Sequence, residues 1–231
     1  MKLLVLLGAS LFFCCSINHV HAAETQVLRE RVVAVLPDGS LQLAQTGKAV
    51  FANIITPDAD AANSWLAEHV LQKEIRFSTA GTDRYGRSQI TSDIEDAMLR
   101  DGVSILYASA EGIPTSQRVA EAAARAAKRG VWVNDSLTIT PEKALELKGG
   151  FHLVEGTITR IYEGKSATYL NFGEDWQSDF SITIAPKLRR SMKTFLAHLK
   201  AGDRVRVRGS IIEENGPMIR LNHADNIEAI R

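Results

Sequence analysis

The sequence predicts a mainly β protein with a few helices (α+β), built as two small five-stranded barrels. Three observations predict this class: short alternating strands between Pro, Gly, Asn and Asp turns, one amphipathic helix after the third strand, and a repeat of this order after Gly149-Gly150. Short twisted strands with one helix between them favour a Greek-key barrel over a parallel doubly wound sheet. We therefore expect one barrel in each half of the chain.

The N-terminal segment is typical of a secretory signal. Lys2 precedes an apolar run over 3–13, and a polar stretch then leads to Ala22. The run is shorter than the ~20 residues that a membrane-spanning helix needs. We expect residues 1–22 to be a signal peptide, cleaved after Ala22 or Ala23, so that no membrane contact remains and the mature bacterial protein is periplasmic or secreted.

Charge and cysteine content limit the possible functions. The 231 residues include 27 basic and 27 acidic side chains, and loss of Lys2 with the signal makes the formal charge −1. Without a global basic field, any polyanion site must be a local patch. Cys14 and Cys15 are the only cysteines and precede the cleavage point. The mature chain is therefore expected to fold without disulfides. The alternative to cleavage after Ala22 or Ala23 is that Cys14 or Cys15 is a lipid-attachment cysteine.

The first half reads as strands around one main helix. A hairpin is predicted over 28–43, with Val33 and Val35 on one face and a turn at 37–40. Pro57 ends the next strand, because proline cannot continue the ladder. Gly102 is a candidate C-cap and Ser116 a candidate N-cap. The other predicted elements are strands at 50–55, 75–77, 89–91 and 103–107 and helices at 58–71, 96–101 and 114–128.

The second half repeats the pattern after a short helix. Thr140 is a candidate N-cap with Pro141 at the first helical position. Strands are predicted at 151–162, 168–173, 180–184, 204–211 and 218–221, with a helix at 189–199 before the fourth strand. Five strands with this helix position fit the OB arrangement. The predicted domains are 24–134 and 151–231, with 135–150 as a linker.

A polar loop at 82–87 is the main candidate site of the first half. Arg87 follows a glycine turn, and its planar guanidinium suits a phosphate. Tyr85 is placed to lie against a base or sugar, and Arg84 adds a second cation. The alternative is a hairpin with a solvated charged tip.

A set of motifs in the first half resembles the thermonuclease family, which is similar to staphylococcal nuclease. The motifs are the Asp38-Gly39-Ser40 turn, the strand ending at Pro57-Asp58, Asp83-Arg84-Tyr85-Gly86-Arg87, Leu99-Arg100-Asp101-Gly102 and Gly130-Val131-Trp132. The resemblance implies an OB-fold barrel with helices over about 32–132. It also implies phosphodiester cleavage with one Ca²⁺, two metal aspartates, a glutamate that handles the attacking water and two arginines.

The positions implied by this resemblance are mostly substituted. Arg87 matches the second arginine, and Asp58 stands in place of the glutamate, so these two are the catalytic candidates if the protein is active. The first arginine is replaced by Val50. The metal aspartates are replaced by Ile55 and Ser40.

Few ligands therefore remain for a metal ion. A hard dication needs several oxygen ligands, mostly anionic. Only a weak Ca²⁺ site formed by Asp38, Ser40 and Asp58 is left, and no cofactor is otherwise expected.

Three arginines alternate with valines in the second half. Arg204, Arg206 and Arg208 share one face of a predicted strand, because side chains alternate across a sheet. The segment 202–209 is similar to OB-type modules behind thermonuclease domains in some bacterial proteins. The three guanidiniums form either a strip for single-stranded nucleic acid or a solvated face paired with nearby carboxylates.

Together these features predict a nuclease-like protein that binds single-stranded nucleic acid or another polyanion with little or no nuclease activity. An active Ca²⁺-dependent nuclease is the enzymatic alternative. A module that binds another protein of the cell envelope is the third hypothesis.

Overall fold

The computed structural model describes residues 26–108, 112–134, 136–147, 149–175 and 177–230. The predicted signal peptide, residues 1–22, lies outside this part of the chain. The elements of the first half are β1 (Leu28–Val35), β2 (Leu41–Leu43), β3 (Gly47–Phe51), β4 (Ile54–Ile55), α1 (Ala59–His69), β5 (Glu74–Thr82), β6 (Ser88–Ser92), α2 (Asp93–Asp101), β7 (Ile105–Leu106) and α3 (Thr115–Ala126).

Five of these strands close into a barrel in the order β1-β2-β3-β6-β5. β3 and β6 run parallel, and the other neighbours are antiparallel. Apolar side chains of the strands form the core, and Ala62, Leu66 and Val70 at one side of α1 pack against it. The closed barrel with its helices confirms the predicted α+β class.

The first strand departs from the predicted alternation. Val32 is fully buried, whereas Val33 is 40% exposed and Val35 is partly buried. The pairing of β1 with β2 shifts between Val32 and Ala34. Such an irregularity changes which side chains face the core. The prediction that Val33 and Val35 share one face is therefore wrong.

Two helices begin at other residues than predicted. α2 begins at Asp93, because the hydroxyl of Ser92 accepts a hydrogen bond from the Ile94 amide (3.2 Å) and caps the helix. α3 begins at Thr115, and the preceding Pro114, rather than Ser116, occupies its N-cap position. None of the described helices has the length and apolar character needed to cross a bilayer.

Two glycine motifs of the first half pack directly against each other. Gly102 ends α2 in the left-handed conformation (φ 72°), which confirms the predicted C-cap. A Cβ at Gly102 would lie 2.3 Å from the Arg129 carbonyl oxygen, and one at Gly130 would lie 2.1 Å from the Gly102 oxygen. The Val131 amide donates to the Gly102 carbonyl (2.9 Å). Only glycines allow this approach, which positions Trp132 in the core.

The second half contains shorter helices. Its elements are β8 (Thr138–Ile139), α4 (Pro141–Ala144), β9 (Phe151–Thr157), β10 (Arg160–Glu163), β11 (Thr168–Asn171), β12 (Ser181–Ile184), α5 (Pro186–Ser191), α6 (Lys193–Ala197), β13 (Arg204–Glu213), β14 (Pro217–Leu221) and β15 (Ile227–Ile230).

These strands form one sheet in the order β10-β11-β12-β14-β13-β9-β8, with β15 also paired to β13. β12 and β14 are parallel. If β9 and β10 are taken as two parts of one bent strand, the order repeats that of the first barrel. A closed OB barrel here stays a prediction, because β9 and β10 are joined through residues 158–159 rather than by strand pairing.

The structure divides two elements that the sequence predicts as continuous. The strand predicted at 151–162 becomes β9 and β10, and the helix predicted at 189–199 becomes α5 and α6. Gly156 lies before the bend. A Cβ there would be 2.4 Å from Cγ of Pro141, so the glycine allows α4 to pack closely on β9.

The segment predicted as a linker packs with the second half. β8 pairs in parallel with β9. Ala144 of α4 is fully buried in the same apolar cluster as Val154 and Leu170. The domain boundaries themselves stay predictions, but much of 135–150 contributes to the second core.

A buried carboxyl group connects three parts of the first half. Glu95 of α2 is fully buried and accepts hydrogen bonds from the backbone amides of Asn53 and Ser92, both at 3.0 Å. Burial raises the pKa of Glu95 from 4.5 to about 7, although these hydrogen bonds and one from Gln117 oppose the shift. The charged form is therefore costly in the folded state.

This pKa predicts that stability falls as pH rises. Between pH 4.5 and about 7 the unfolded chain releases the Glu95 proton while the folded chain retains it. We expect the contribution of Glu95 to the free energy of unfolding to decrease by on the order of 3 kcal/mol over this window. Urea unfolding of wild type and Glu95→Gln at several pH values measures this contribution as the difference between their free energies of unfolding. The difference between the two should change with pH, and a constant difference would contradict the assignment.

Candidate nucleic-acid interface

The predicted loop is a tight turn between β5 and β6, organised by Asp83. Its carboxylate accepts hydrogen bonds from the amides of Tyr85 and Arg87, both at 2.9 Å, and from Nε of Arg87 at 2.8 Å. Gly86 has φ 76°, and its amide donates to the Asp83 carbonyl (3.0 Å). The turn thus holds the Arg87 side chain in one orientation.

Arg87 also connects this turn to the turn between β1 and β2. Its Nη1 lies 2.8 Å from Oδ2 of Asp38. The other oxygen of Asp38 accepts from the hydroxyl (2.5 Å) and the amide (3.1 Å) of Ser40. The Ser40 hydroxyl and the Arg87 charge lower the pKa of Asp38 below its ordinary value. The guanidinium is therefore preorganised between two carboxylates.

An exposed aromatic ring lies beside these charges. Tyr85 is 67% exposed. The guanidinium carbons of Arg84 and Arg87 lie 4.7 and 5.3 Å from its ring centroid. Nη2 of Arg84 donates to the tyrosine hydroxyl (2.6 Å). The ring is thus held by cation–π contacts, which are stronger where water is partly excluded.

A shallow depression of about 290 Å³ opens beside the ring, lined by Asp38, Lys48, Tyr85 and Arg87. Lys48, at the start of β3, is exposed. Its place here was not predicted, because no local motif distinguishes it from other surface lysines. The depression offers a ligand two cations, the carboxylate of Asp38 and an aromatic face, but no deep enclosure.

Asp58, the other catalytic candidate, has a structural contact. It is the N-cap of α1, and its Oδ1 accepts from the Ala61 amide (3.0 Å). Among the described hydrogen bonds, none joins Asp58 to Arg87. The two residues that the resemblance pairs in catalysis are thus engaged with different partners.

The substituted positions of the resemblance are part of the packing. Ser40 is fully buried and donates to Asp38. Ile55 of β4 pairs with Ile105 and packs against an apolar cluster around Trp132. Val50 lies in β3 beside Gln89 of β6. Each replacement therefore contributes to the fold rather than presenting a charged group at the surface.

The remaining groups do not fit a Ca²⁺ site. Asp38 already binds Arg87 and Ser40, and Asp58 caps α1. The part of the chain that the structure describes contains no cluster of three Asp, Glu, His or Cys side chains suited to a metal ion. A hard dication would have to compete with a guanidinium for its main carboxylate.

The strand of alternating arginines has a different role from the predicted binding strip. Arg208 of β13 is only 4% exposed and lies 2.8 Å from Glu121 of α3. Its Nη1 also donates to the Leu106 carbonyl (3.2 Å). Glu121 in turn accepts from the Leu106 amide (2.7 Å). This buried cluster joins the two halves of the chain.

Arg206 takes part in a second ion-pair cluster at the same interface. It contacts Glu155 of β9 (2.6 Å) and Glu228 of β15 (2.9 Å). Arg125 of α3 also binds Glu155 (2.9 Å). Burial alone would raise the pKa of Glu155, but the hydrogen bonds and charges of Arg206 and Arg125 lower it below its ordinary value.

The prediction of a nucleic-acid-binding strip is therefore wrong for Arg206 and Arg208, because both are paired with carboxylates, as in the alternative, but with little exposure to solvent. Their partners are Glu121, Glu155 and Glu228. Arg204 alone of the three has a largely exposed side chain, at 59%, and it lies 3.3 Å from Glu155. The valines between them are buried as predicted.

Residues 40–134 match the family model described as staphylococcal nuclease homologue. This confirms the family resemblance for the first domain. A search of curated proteins gives no significant match. Among solved structures, the chain is similar to the S. pombe Stn1-Ten1 complex at 16% identity, covering 35% of this chain and 58% of that chain. The TM-score of 0.29 is too low to indicate a shared fold.

The interface pair predicts strong coupling between Arg208 and Glu121. Arg208→Met leaves Glu121 as a buried charge without an ion-pair partner and should lower the free energy of unfolding by about 3–5 kcal/mol. Glu121→Gln leaves Arg208 with Glu228 alone, at 3.4 Å, and should lower the free energy of unfolding by a smaller amount. The double variant should cost less than the sum of the two, because both charges are gone. Urea unfolding of all four proteins measures the coupling.

The matched control is Arg204→Met, which removes an exposed guanidinium from the same strand. It should cost less than about 1 kcal/mol. Additive single effects at Arg208 and Glu121 would contradict the assignment of the pair.

Proposed function

Because residues 40–134 are a domain of the staphylococcal nuclease homologue family, we propose that the protein binds single-stranded nucleic acid through the Arg87 loop and does not hydrolyse it efficiently. One observation carries this proposal. The guanidinium of Arg87 is fixed between Asp83 and Asp38, beside an exposed tyrosine, in a site that lacks a set of metal ligands among the described residues.

The surface suits an extended phosphate chain. Lys48 and Arg87 line the depression, and Arg84 adds a third cation beside the ring of Tyr85. The ion pairs of Arg87 with Asp83 and Asp38 use its Nε and Nη1. Phosphates are bound well by such donors. A base can stack on the exposed face of Tyr85, an interaction that tolerates any sequence. The shallow shape allows a strand to pass across the surface.

The same positions argue against efficient cleavage. Metal-assisted hydrolysis needs a cation that polarises the phosphate and activates water. Ile55 is an apolar packing residue, and the Asp38 carboxylate is held by Arg87. Val50 provides no charge for the transition state, and loss of one such group costs orders of magnitude in rate. Binding without turnover follows from this combination.

We also propose that the protein acts in the periplasm or outside the cell. The apolar run at 3–13 behind Lys2, followed by Ala22, supports export. Free nucleic acid or another polyanion is then the expected partner. The mass of the protein purified from its native compartment tests this, and an uncleaved N-terminus would oppose it.

Binding and cleavage can be measured together with a labelled single-stranded oligonucleotide. We expect anisotropy to report binding that weakens steeply with salt, because phosphate contacts release counterions. Tyr85→Ala should weaken binding about tenfold through lost stacking. Arg84→Gln should weaken it and lower the slope of log K against log salt by about one. Intact oligonucleotide should remain with Ca²⁺ or with chelator.

The matched control is Arg76→Gln, which removes one exposed charge from β5 outside the loop and should leave the affinity nearly unchanged. Ca²⁺-dependent cleavage that disappears in Arg87→Ala would overturn the binding-only proposal in favour of a nuclease. Absence of both binding and cleavage would reject nucleic acid as ligand and favour a protein partner of the envelope.

A further inference from the structure

The outer face of the second sheet carries aligned polar and aromatic side chains. Strands β10, β11, β12 and β14 place their core residues, including Leu170, Ile182 and Ile219, on the opposite face. Two rows of paired residues cross the outer face. One row is Tyr162, Tyr169, Thr183 and Arg220. The neighbouring row is Arg160, Asn171, Ser181 and Met218, of which the last three are buried.

A depression of about 420 Å³ lies on this face. Its lining includes the cations Arg160 and Lys165, the aromatic residues Tyr162 and Tyr169, and Asn171. Tyr162 is 52% exposed. An exposed aromatic surface beside polar groups is typical of a binding site.

The two tyrosines form a platform. Their ring centroids are 6.3 Å apart and the planes differ by 33°. The guanidinium carbon of Arg160 lies 6.0 Å from the Tyr162 centroid. Arg189 of α5 donates to the Gly164 carbonyl (3.2 Å) and so supports the turn that carries Lys165. The two rings therefore form a stacking surface with two cations, Arg160 and Lys165, at its border.

The charge of the lining indicates the ligand class. Arg160 and Lys165 lie at the depression, and no carboxylate is among the lining residues within the part of the chain that is described. Ser166, Asn171, Ser181 and Asn215 also line the depression, and their side-chain oxygens can accept from the hydroxyl groups of a sugar. The charge favours nucleic acid, because two cations without a carboxylate complement phosphates and aromatic rings complement the bases between them.

We propose that this face is a second binding surface for single-stranded nucleic acid, with bases on Tyr162 and Tyr169 and phosphates at Arg160 and Lys165. The proposal rests on the proposed function for its ligand class but uses another half of the chain and different residues. Nucleic acid would then contact the protein at the Arg87 loop and at this platform.

The test compares variants of both surfaces against a labelled oligothymidylate of about 12 nucleotides, within the usual site sizes. Tyr162→Ala should weaken binding about tenfold with an unchanged salt slope, and Tyr162→Phe should bind like wild type because stacking is kept. Arg160→Gln should lower the slope by about one. Arg190→Gln, an exposed charge on α5 outside the depression, is the matched control and should have little effect. Unfolding midpoints check that each variant is folded.

The outcomes separate the two proposals. Weakening by Tyr85→Ala but not by Tyr162→Ala would overturn the platform and leave the Arg87 site intact. Weakening by Tyr162→Ala alone would support the platform and reject the loop. Salt-independent binding of a neutral oligosaccharide, lost in Tyr162→Ala, with no binding of oligothymidylate, would overturn nucleic acid as the ligand of this face.

Discussion

Arg208 places a guanidinium from the second half of the chain against Glu121 and the Leu106 carbonyl of the first half. A buried charge is tolerated only with such partners, since desolvation of either ion alone is costly. The pair therefore constrains how α3 and β13 approach each other. Around it, Arg206 and Arg125 share Glu155, and apolar residues from both halves, including Trp132 and Leu153, form one cluster. The docking of the two halves depends on this set.

The interface also determines which basic residues are available to a ligand. Arg206 and Arg208 of β13 are largely covered and engaged with carboxylates from α3, β9 and β15. Arg204 also contacts Glu155 but is mostly exposed. Arg87 also forms ion pairs with two carboxylates, those of Asp38 and Asp83, but these pairs hold its guanidinium at an open surface. Burial distinguishes Arg208 from Arg87, because their side chains are 4% and 22% exposed. Arg208 is enclosed, whereas Arg87 lies beside the exposed ring of Tyr85.

Local patterns predicted much of the fold. Turn residues, alternation and helix caps placed most strands, and the glycine motifs at 102 and 130 proved to be contacts that exclude any side chain. The irregularity between Val32 and Ala34 was not predictable, because the pairing partner decides it. The burial of Arg208 in an ion pair was not predictable for a similar reason, because its partner Glu121 lies 87 positions away in the sequence. The turn at 82–87 is local and was predicted as a turn, whereas Tyr162 and Tyr169 become neighbours only through strand register.

We propose that ligand contacts lie at the Arg87 loop and the tyrosine platform, whereas the arginines of β13 stabilise the interface between the two halves. Hydrogen–deuterium exchange with and without saturating single-stranded oligonucleotide distinguishes these segments. We expect protection at 83–87 and 160–171 and unchanged exchange at 204–208. Protection centred on 204–208, with none at the other two segments, would contradict it.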